Sequence, residues 1–187
     1  MSEIQQYVYR QEVLSFVTTA VEVCLTLEKT TEISKQQFLK QMTTRLPLLY
    51  SKAHLLQLPE QITDEYLQRF VTEEDYNLVS EGVKQMLGND DVYLEVFVED
   101  MRYSAEPVSA FISENLADIY QELKDMAFNF QTRQETVMND AIYQCLCAFR
   151  EHWGQKLLNV MRPLHSLWLE ESNKTDSNDD DYEFEEE

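Results

Sequence analysis

Three glycines and four prolines among 187 residues leave this chain few places to stop a helix. Glycine weakens a helix through backbone entropy, and proline removes an N–H and clashes with the preceding turn. Long helices are therefore expected, and the fold class is all-α: an antiparallel bundle of five or six helices. The length suits one compact domain with a sizeable core, which we place at residues 1–169.

Apolar spacing locates the helices. Over residues 5–29, Leu14, Val17, Val21 and Cys24 form one stripe, and Val13, Phe16, Ala20, Val23 and Leu27 form a second beside it. Two adjacent stripes leave little for water, so this helix is expected near the centre of the bundle together with the long last one. Ser34 and Gln37 have the spacing of a capping box, which starts a second helix at Lys35. Pro47 should kink or break that helix, with 48–56 as a shorter continuation ended by Pro59. Thr72 and Asp75 are a weaker capping pair ahead of Leu78, Val79, Val83, Met86 and Leu87, and Gly88 with Asn89 supplies the stop.

Residues 91–103 alternate like a strand at Val92, Leu94, Val96 and Val98. With no second strand candidate, a lone strand would leave its backbone groups unpaired, so this stretch reads as an extended connection or short helix. Leu116, Ile119, Tyr120, Leu123, Met126, Ala127 and Phe130 share about 120° of helical arc. From about residue 134, Met138, Ile142, Cys145, Phe149, Trp153, Leu157, Val160, Leu164 and Leu167 mark one long helix. It is expected to keep phase through Gly154, to bend near Pro163 and to end around Leu169.

Charge limits the partners. The formal net charge is −20, and residues 170–187 carry ten acidic side chains against one lysine. Such a field repels nucleic acid and anionic lipid, so direct nucleic-acid binding and membrane association are not expected. The run 176–187, DSNDDDYEFEEE, lacks the apolar content to offset ordering entropy and reads as a disordered acidic tail beginning near residue 170. Its two aromatics, Tyr182 and Phe184, are candidate anchors on a basic protein partner. No apolar run approaches the roughly 18 residues that cross a bilayer, and no secretory signal pattern opens the chain, which makes the cytoplasm the expected location.

Candidate sites are sparse. Glu114, Asp118, Glu122 and Asp125 form a carboxylate ladder of the kind that could hold Mg²⁺, with Asp118, Glu122 and Asp125 the candidate ligands. The ladder lies opposite the apolar stripe of its own helix, so it is expected to face water. Glu122 and Asp125 make an E-x-x-D pair, as in helical nucleotide pyrophosphohydrolases, but no other predicted helix carries the matching E-x-x-E. His152 and His165 stand about 20 Å apart along one helix and cannot share a metal. Trp153 falls on the apolar stripe and reads as core. Cys24, Cys145 and Cys147 fit no even disulfide framework and read as free thiols. Nucleophile-elbow, P-loop and dinucleotide-binding glycine patterns are absent, and no catalytic residue or cofactor is assigned.

The blocks SENLADIYQELKDM (113–126) and FREHWGQKLLNVMRPLH (149–165) resemble an uncharacterised all-helical domain-of-unknown-function family, of about this chain's length, from Bacteroides and related bacteria. The likeness spans most of residues 16–165. Pro163 stands where the family pattern has Ala. The resemblance implies a helical fold in a bacterial, intracellular setting and carries over no catalytic residue. The functional expectation is a cytoplasmic, non-catalytic helical module that binds a protein; the alternative is a metal-dependent enzyme acting on a phosphorylated small molecule.

Overall fold

The structure is a computed structural model that describes residues 3–64, 66–95 and 108–179. Its helices are α1 (Glu3–Val8), α2 (Gln11–Glu28), α3 (Lys35–Leu55), α4 (Glu73–Leu87), α5 (Ile112–Gln131), α6 (Glu135–Ala148) and α7 (Gly154–Asp179). A π turn, Phe149–Trp153, joins α6 to α7, so these three form one continuous run and the described helical runs number six. A 3-10 turn, Gly88–Asp91, leads from α4 into strand β1 (Val92–Glu95), which pairs antiparallel with β2 (Val108–Phe111). The fold is mainly α, a helical bundle carrying one small hairpin.

The expected first helix is split. Arg10 adopts extended geometry (φ −62, ψ 145) and serves as the N-cap of α2, while α1 turns away to pack against α6. On α2 the stripe of Val13, Phe16, Ala20, Val23 and Leu27 is fully buried, whereas Leu14 of the other stripe is exposed. The buried hydroxyls of α2 are all satisfied. Thr19 donates to the Ser15 carbonyl at 3.1 Å and accepts from Lys52 Nζ at 2.6 Å, and Thr26 donates to the Glu22 carbonyl at 2.8 Å and accepts from Arg45 at 2.8 Å. These bonds fasten α2 to α3. The Ser34 box closes in both directions (3.2 and 3.1 Å), and α3 then runs through Pro47 unbroken, so of the expected kink or break the break does not occur. The proline ring is exposed while Leu46 and Leu49 beside it are buried, so core packing outweighs the missing hydrogen bond.

The centre of the bundle is α5, which touches α2, α4, α6 and α7; the expectation placed α2 and the last helix there. Its N-terminus is capped from a distance. Buried Asp91 accepts from the Ser113 N–H at 2.8 Å and the Ser113 hydroxyl at 2.7 Å, placing a carboxylate at the positive end of the helix dipole. Residues 92–95 are a strand after all. The missing partner was Val108–Phe111, in the register Val92↔Phe111 to Glu95↔Val108. The remainder of the alternating stretch, 96–103, lies outside the described residues.

The last run departs from straight α geometry. Its stripe takes three consecutive steps of four from Cys145 to Leu157, which would carry a pure α-helix about 120° off its face. The π turn at Phe149–Trp153 inserts the extra residue that restores phase, and Phe149, Trp153 and Leu157 are all buried. Trp153 donates its indole N–H back to the Cys145 carbonyl of α6 at 3.0 Å. A Cβ on Gly154 would lie 2.5 Å from the Phe149 carbonyl oxygen, so the turn requires glycine there. The helix then passes Pro163 without interruption and ends at Asp179, ten residues beyond the Leu169 limit expected of it. The rest of the acidic run, 180–187, with Tyr182 and Phe184, lies outside the described residues.

Between α3 and α4 the described residues form no helix or strand, and several of their backbone groups are satisfied by side chains of the bundle. The Tyr7 hydroxyl donates to the Gln57 carbonyl (2.7 Å) and Asn139 to the Glu60 carbonyl (2.7 Å). Buried Asp140 accepts from the N–H groups of Ile62 (2.8 Å) and Thr63 (2.9 Å) and from the Thr63 hydroxyl (2.7 Å). Asn129 donates to the Gln68 carbonyl at 2.9 Å, and Asp125 accepts from the N–H groups of Phe70 (2.6 Å) and Val71 (2.9 Å). Burial alone would push the Asp140 carboxyl up, but the hydrogen bonds from Ile62, Thr63 and Asn139 together hold it below its ordinary value of 3.8.

A depressed folded-state pKa means that this contribution to stability is present above the ordinary carboxylate range and is lost as pH falls through the folded value. Asp140→Ala should cost about 2–4 kcal/mol in denaturant unfolding at neutral pH, because two backbone donors lose their acceptor. Asp140→Asn should be less severe and should flatten the acid limb of stability against pH. An unchanged acid limb in Asp140→Asn would remove the carboxylate from this role.

Candidate functional site

The carboxylate row of α5 is the only predicted site that falls wholly within the described residues, and the structure places it differently from expectation. Of its four members Glu114 is exposed, while Asp118, Glu122 and Asp125 are half-buried. The expectation of a water-facing ladder assumed that a helix has one dry side. Since α5 is packed on several sides, its polar face is covered by α4, the α3–α4 connection and α7.

Each covered carboxylate has a distinct environment. Asp118 accepts from the Tyr76 hydroxyl of α4 at 3.0 Å and pairs with Lys156 of α7, so one side chain ties three helices together. Burial first, and then the Asp118 charge, push the Tyr76 hydroxyl well above its usual range, so it remains a donor. With the Asp118 and Lys156 side chains each about one quarter exposed (26% and 26%), the pair is partly screened and contributes at most about 1–2 kcal/mol. Asp125 is committed to the Phe70 and Val71 N–H groups.

Glu122 differs. It opens into a cavity of about 230 Å³ between residues 66–69, α5 and α6, lined also by Arg69, Gln144 and Cys145. No described residue hydrogen-bonds to it. Burial pushes its carboxyl above the ordinary 4.5; Arg69 opposes this, and Asp125 adds to it. His152, in the π turn, is also close enough to favour the charged carboxylate. Arg69 and His152 thus lie near Glu122, while Lys156 pairs with Asp118.

Among the described residues no three His, Cys, Asp or Glu side chains converge closely enough to hold a metal ion. Cys24, Cys145 and Cys147 are all free; the first two are buried, and burial raises both thiols well above their usual range. They behave as small apolar groups. His165 lies beside Trp168 on α7, with the two rings tilted at 37° and their centroids 5.6 Å apart. Trp153 is core, as expected.

Sequence reasoning missed Tyr76, Arg69 and Lys156. Only Tyr76 carried a usable signal: it is in helical phase with buried Val79 and Val83, which turns it toward α5.

A helical bundle whose central helix uses its acidic row to bind neighbouring elements matches a known family. The chain belongs to the family described as Domain of unknown function (DUF5063), which it matches over residues 7–170. It is also similar to the crystal structure of protein BF1032 from Bacteroides fragilis, a Northeast Structural Genomics Consortium target. Identity is 38%, the match covers 87% of this chain and 95% of that one, and the TM-score is 0.78. No curated protein matches. The resemblance carried by residues 113–126 and 149–165 therefore holds.

Glu122 generates a prediction of unusual sign. A carboxyl whose folded-state pKa is raised stabilises the fold fully only at pH values below its unfolded pKa, and that contribution is lost as pH rises through the folded value. Glu122→Gln should therefore be at least as stable as the natural protein at neutral pH, and the difference should shrink as pH falls below the ordinary 4.5. Thermal unfolding of both proteins across this range is the check. Marked destabilisation by Gln at neutral pH would mean that Glu122 has a partner on which the fold depends.

Proposed function

We propose that this protein is a cytoplasmic, non-catalytic helical module that binds another protein. The observation supporting this reading is the commitment of Asp118 and Asp125. A metal-dependent reaction would need them as ligands alongside Glu122, yet Asp118 already holds Tyr76 and Lys156, and Asp125 holds the Phe70 and Val71 N–H groups. Recruiting them would release α4, α7 and the α3–α4 connection together, at a cost of about 1–3 kcal/mol for each donor stranded.

The net charge of −20 favours a basic partner. Tyr182 and Phe184 belong to the same proposal as aromatic anchors flanked by carboxylates. In keeping with it, no helix of the described residues is long and apolar enough to cross a membrane. The competing reading, a metal-dependent enzyme acting on a phosphorylated small molecule, draws on the cavity that places Glu122 and Arg69 together.

Calorimetric titration of the full chain with Mg²⁺, Mn²⁺ and Zn²⁺ separates the two. The module reading expects no micromolar binding, and it expects Asp118→Ala to lower unfolding stability by about 1–2 kcal/mol through loss of a partly exposed bonded carboxylate. Micromolar Mg²⁺ or Mn²⁺ binding that disappears in both Asp118→Ala and Glu122→Gln would overturn it in favour of the enzyme.

A further inference from the structure

The apolar positions of α4 divide into two faces. Val79, Val83 and Leu87 are buried against the bundle, but Leu78 is 73% exposed. By phase it belongs with Glu74 and Glu81, four residues before and three after it, on the outer face of the helix. An exposed leucine alone needs no explanation. Leu78, however, forms the rim of a hollow of about 380 Å³ between α4, α5 and residues 70–71, whose apolar lining includes Phe70, Val71 and Phe128. Phe128 is itself 38% exposed, and its ring meets Phe70 at a centroid distance of 5.2 Å.

The charge around this hollow is mainly negative. Asp75 and Glu28 line it, and Glu73, Glu74 and Glu81 line the adjoining recess on the other side of Leu78. The single cation of the lining is Lys124, which is already neutralised by Glu28 at 2.5 Å and lies over the Phe128 ring at 5.0 Å. Lys84 reaches Glu81 at 3.4 Å, but both side chains are more than half exposed, so that pair offsets little of the field. An apolar floor flanked on the α4 side by carboxylates repels an acidic partner and, in particular, a second copy of this chain. It matches a helix with apolar anchors on one face and lysine or arginine beside them.

We infer that the Leu78–Phe128 hollow is the docking surface for a basic amphipathic helix of a partner protein, which deepens the module reading and rests on it. The apolar anchors of that helix would sit on Leu78, Phe128 and Val71, and its cations would face Glu74 and Glu81. Most of the affinity would come from the apolar contact, with the rim steering the encounter and setting the orientation.

The test uses the full-length chain and a synthetic helix of leucine and lysine, with leucines at i, i+3, i+4 and i+7, followed by fluorescence anisotropy. Leu78→Ser, an exposed change that leaves the core alone, should weaken binding by about tenfold or more. Leu158→Ser, at another exposed leucine (46%) on α7, should leave it within about twofold, as should a chain truncated after Asn173. Raising salt from about 50 to about 300 mM should weaken binding, and a peptide of the same composition with leucines spread evenly around the helix should bind poorly. Amide exchange should slow on α4 around 74–81 when the amphipathic peptide is present.

Absence of binding overturns the inference, and so does equal loss in Leu78→Ser and Leu158→Ser. Loss on truncation but not in Leu78→Ser would place the contact in the acidic run, sinking this surface while leaving the module reading intact. Metal binding as described above would sink the module reading independently of the peptide result.

Discussion

A stretch of backbone without helix or strand still carries one donor and one acceptor for nearly every residue, and those groups must be satisfied wherever water is excluded. Here that requirement falls on residues 57–71, which cross the bundle between α3 and α4. Asp140 answers Ile62 and Thr63 across 78 and 77 positions of sequence, and Asp125 answers Phe70 and Val71 across 55 and 54. Asn129 and Asn139 take the carbonyls between them. Remove these four side chains and α4 loses the platform from which it packs on α5. The hollow under Leu78, whose wall is Phe70 and Val71, would lose one side.

The same economy explains the acidic row. A central helix has little free face on which to leave charges: Glu114, in the first turn of α5, is exposed, but the later carboxylates are either bonded, as at Asp118 and Asp125, or partly desolvated in a cavity, as at Glu122. Asp118 and Asp125 trade electrostatic cost for structural specificity. Glu122 opens into a cavity with Arg69 beside it and no hydrogen bond from the described residues, and it is where the enzyme and module readings diverge most sharply.

Much of this was legible in the sequence. Scarce glycine and proline, the stripe from Val13 to Leu27 and the two capping boxes placed the helices, because each is a local signal with a local cause. Legibility failed where the cause was distant. The strand at 92–95 needed Val108–Phe111 sixteen residues on, a segment too short and mixed to announce itself. The row on α5 was read outward because periodicity reports one dry face and cannot show that several elements converge on one helix. The π turn was legible in principle: three successive steps of four across Cys145, Phe149, Trp153 and Leu157 cannot share a face in a straight α-helix. Arg69 and Lys156 had no local signature, since their roles exist only through α5.

The length of α7 has a consequence for how the molecule presents its charge. Its last buried residue among those whose burial is described is Leu167, yet the helix continues to Asp179, so at about 1.5 Å per residue it extends about 18 Å past Leu167 along its axis. Lys174, within that extension, has its ammonium favoured first by Glu171 and also by Asp90 of the turn after α4. With charges screened over about 8 Å at physiological salt, this stretch of α7 acts electrostatically as part of the bundle and not as a separate arm.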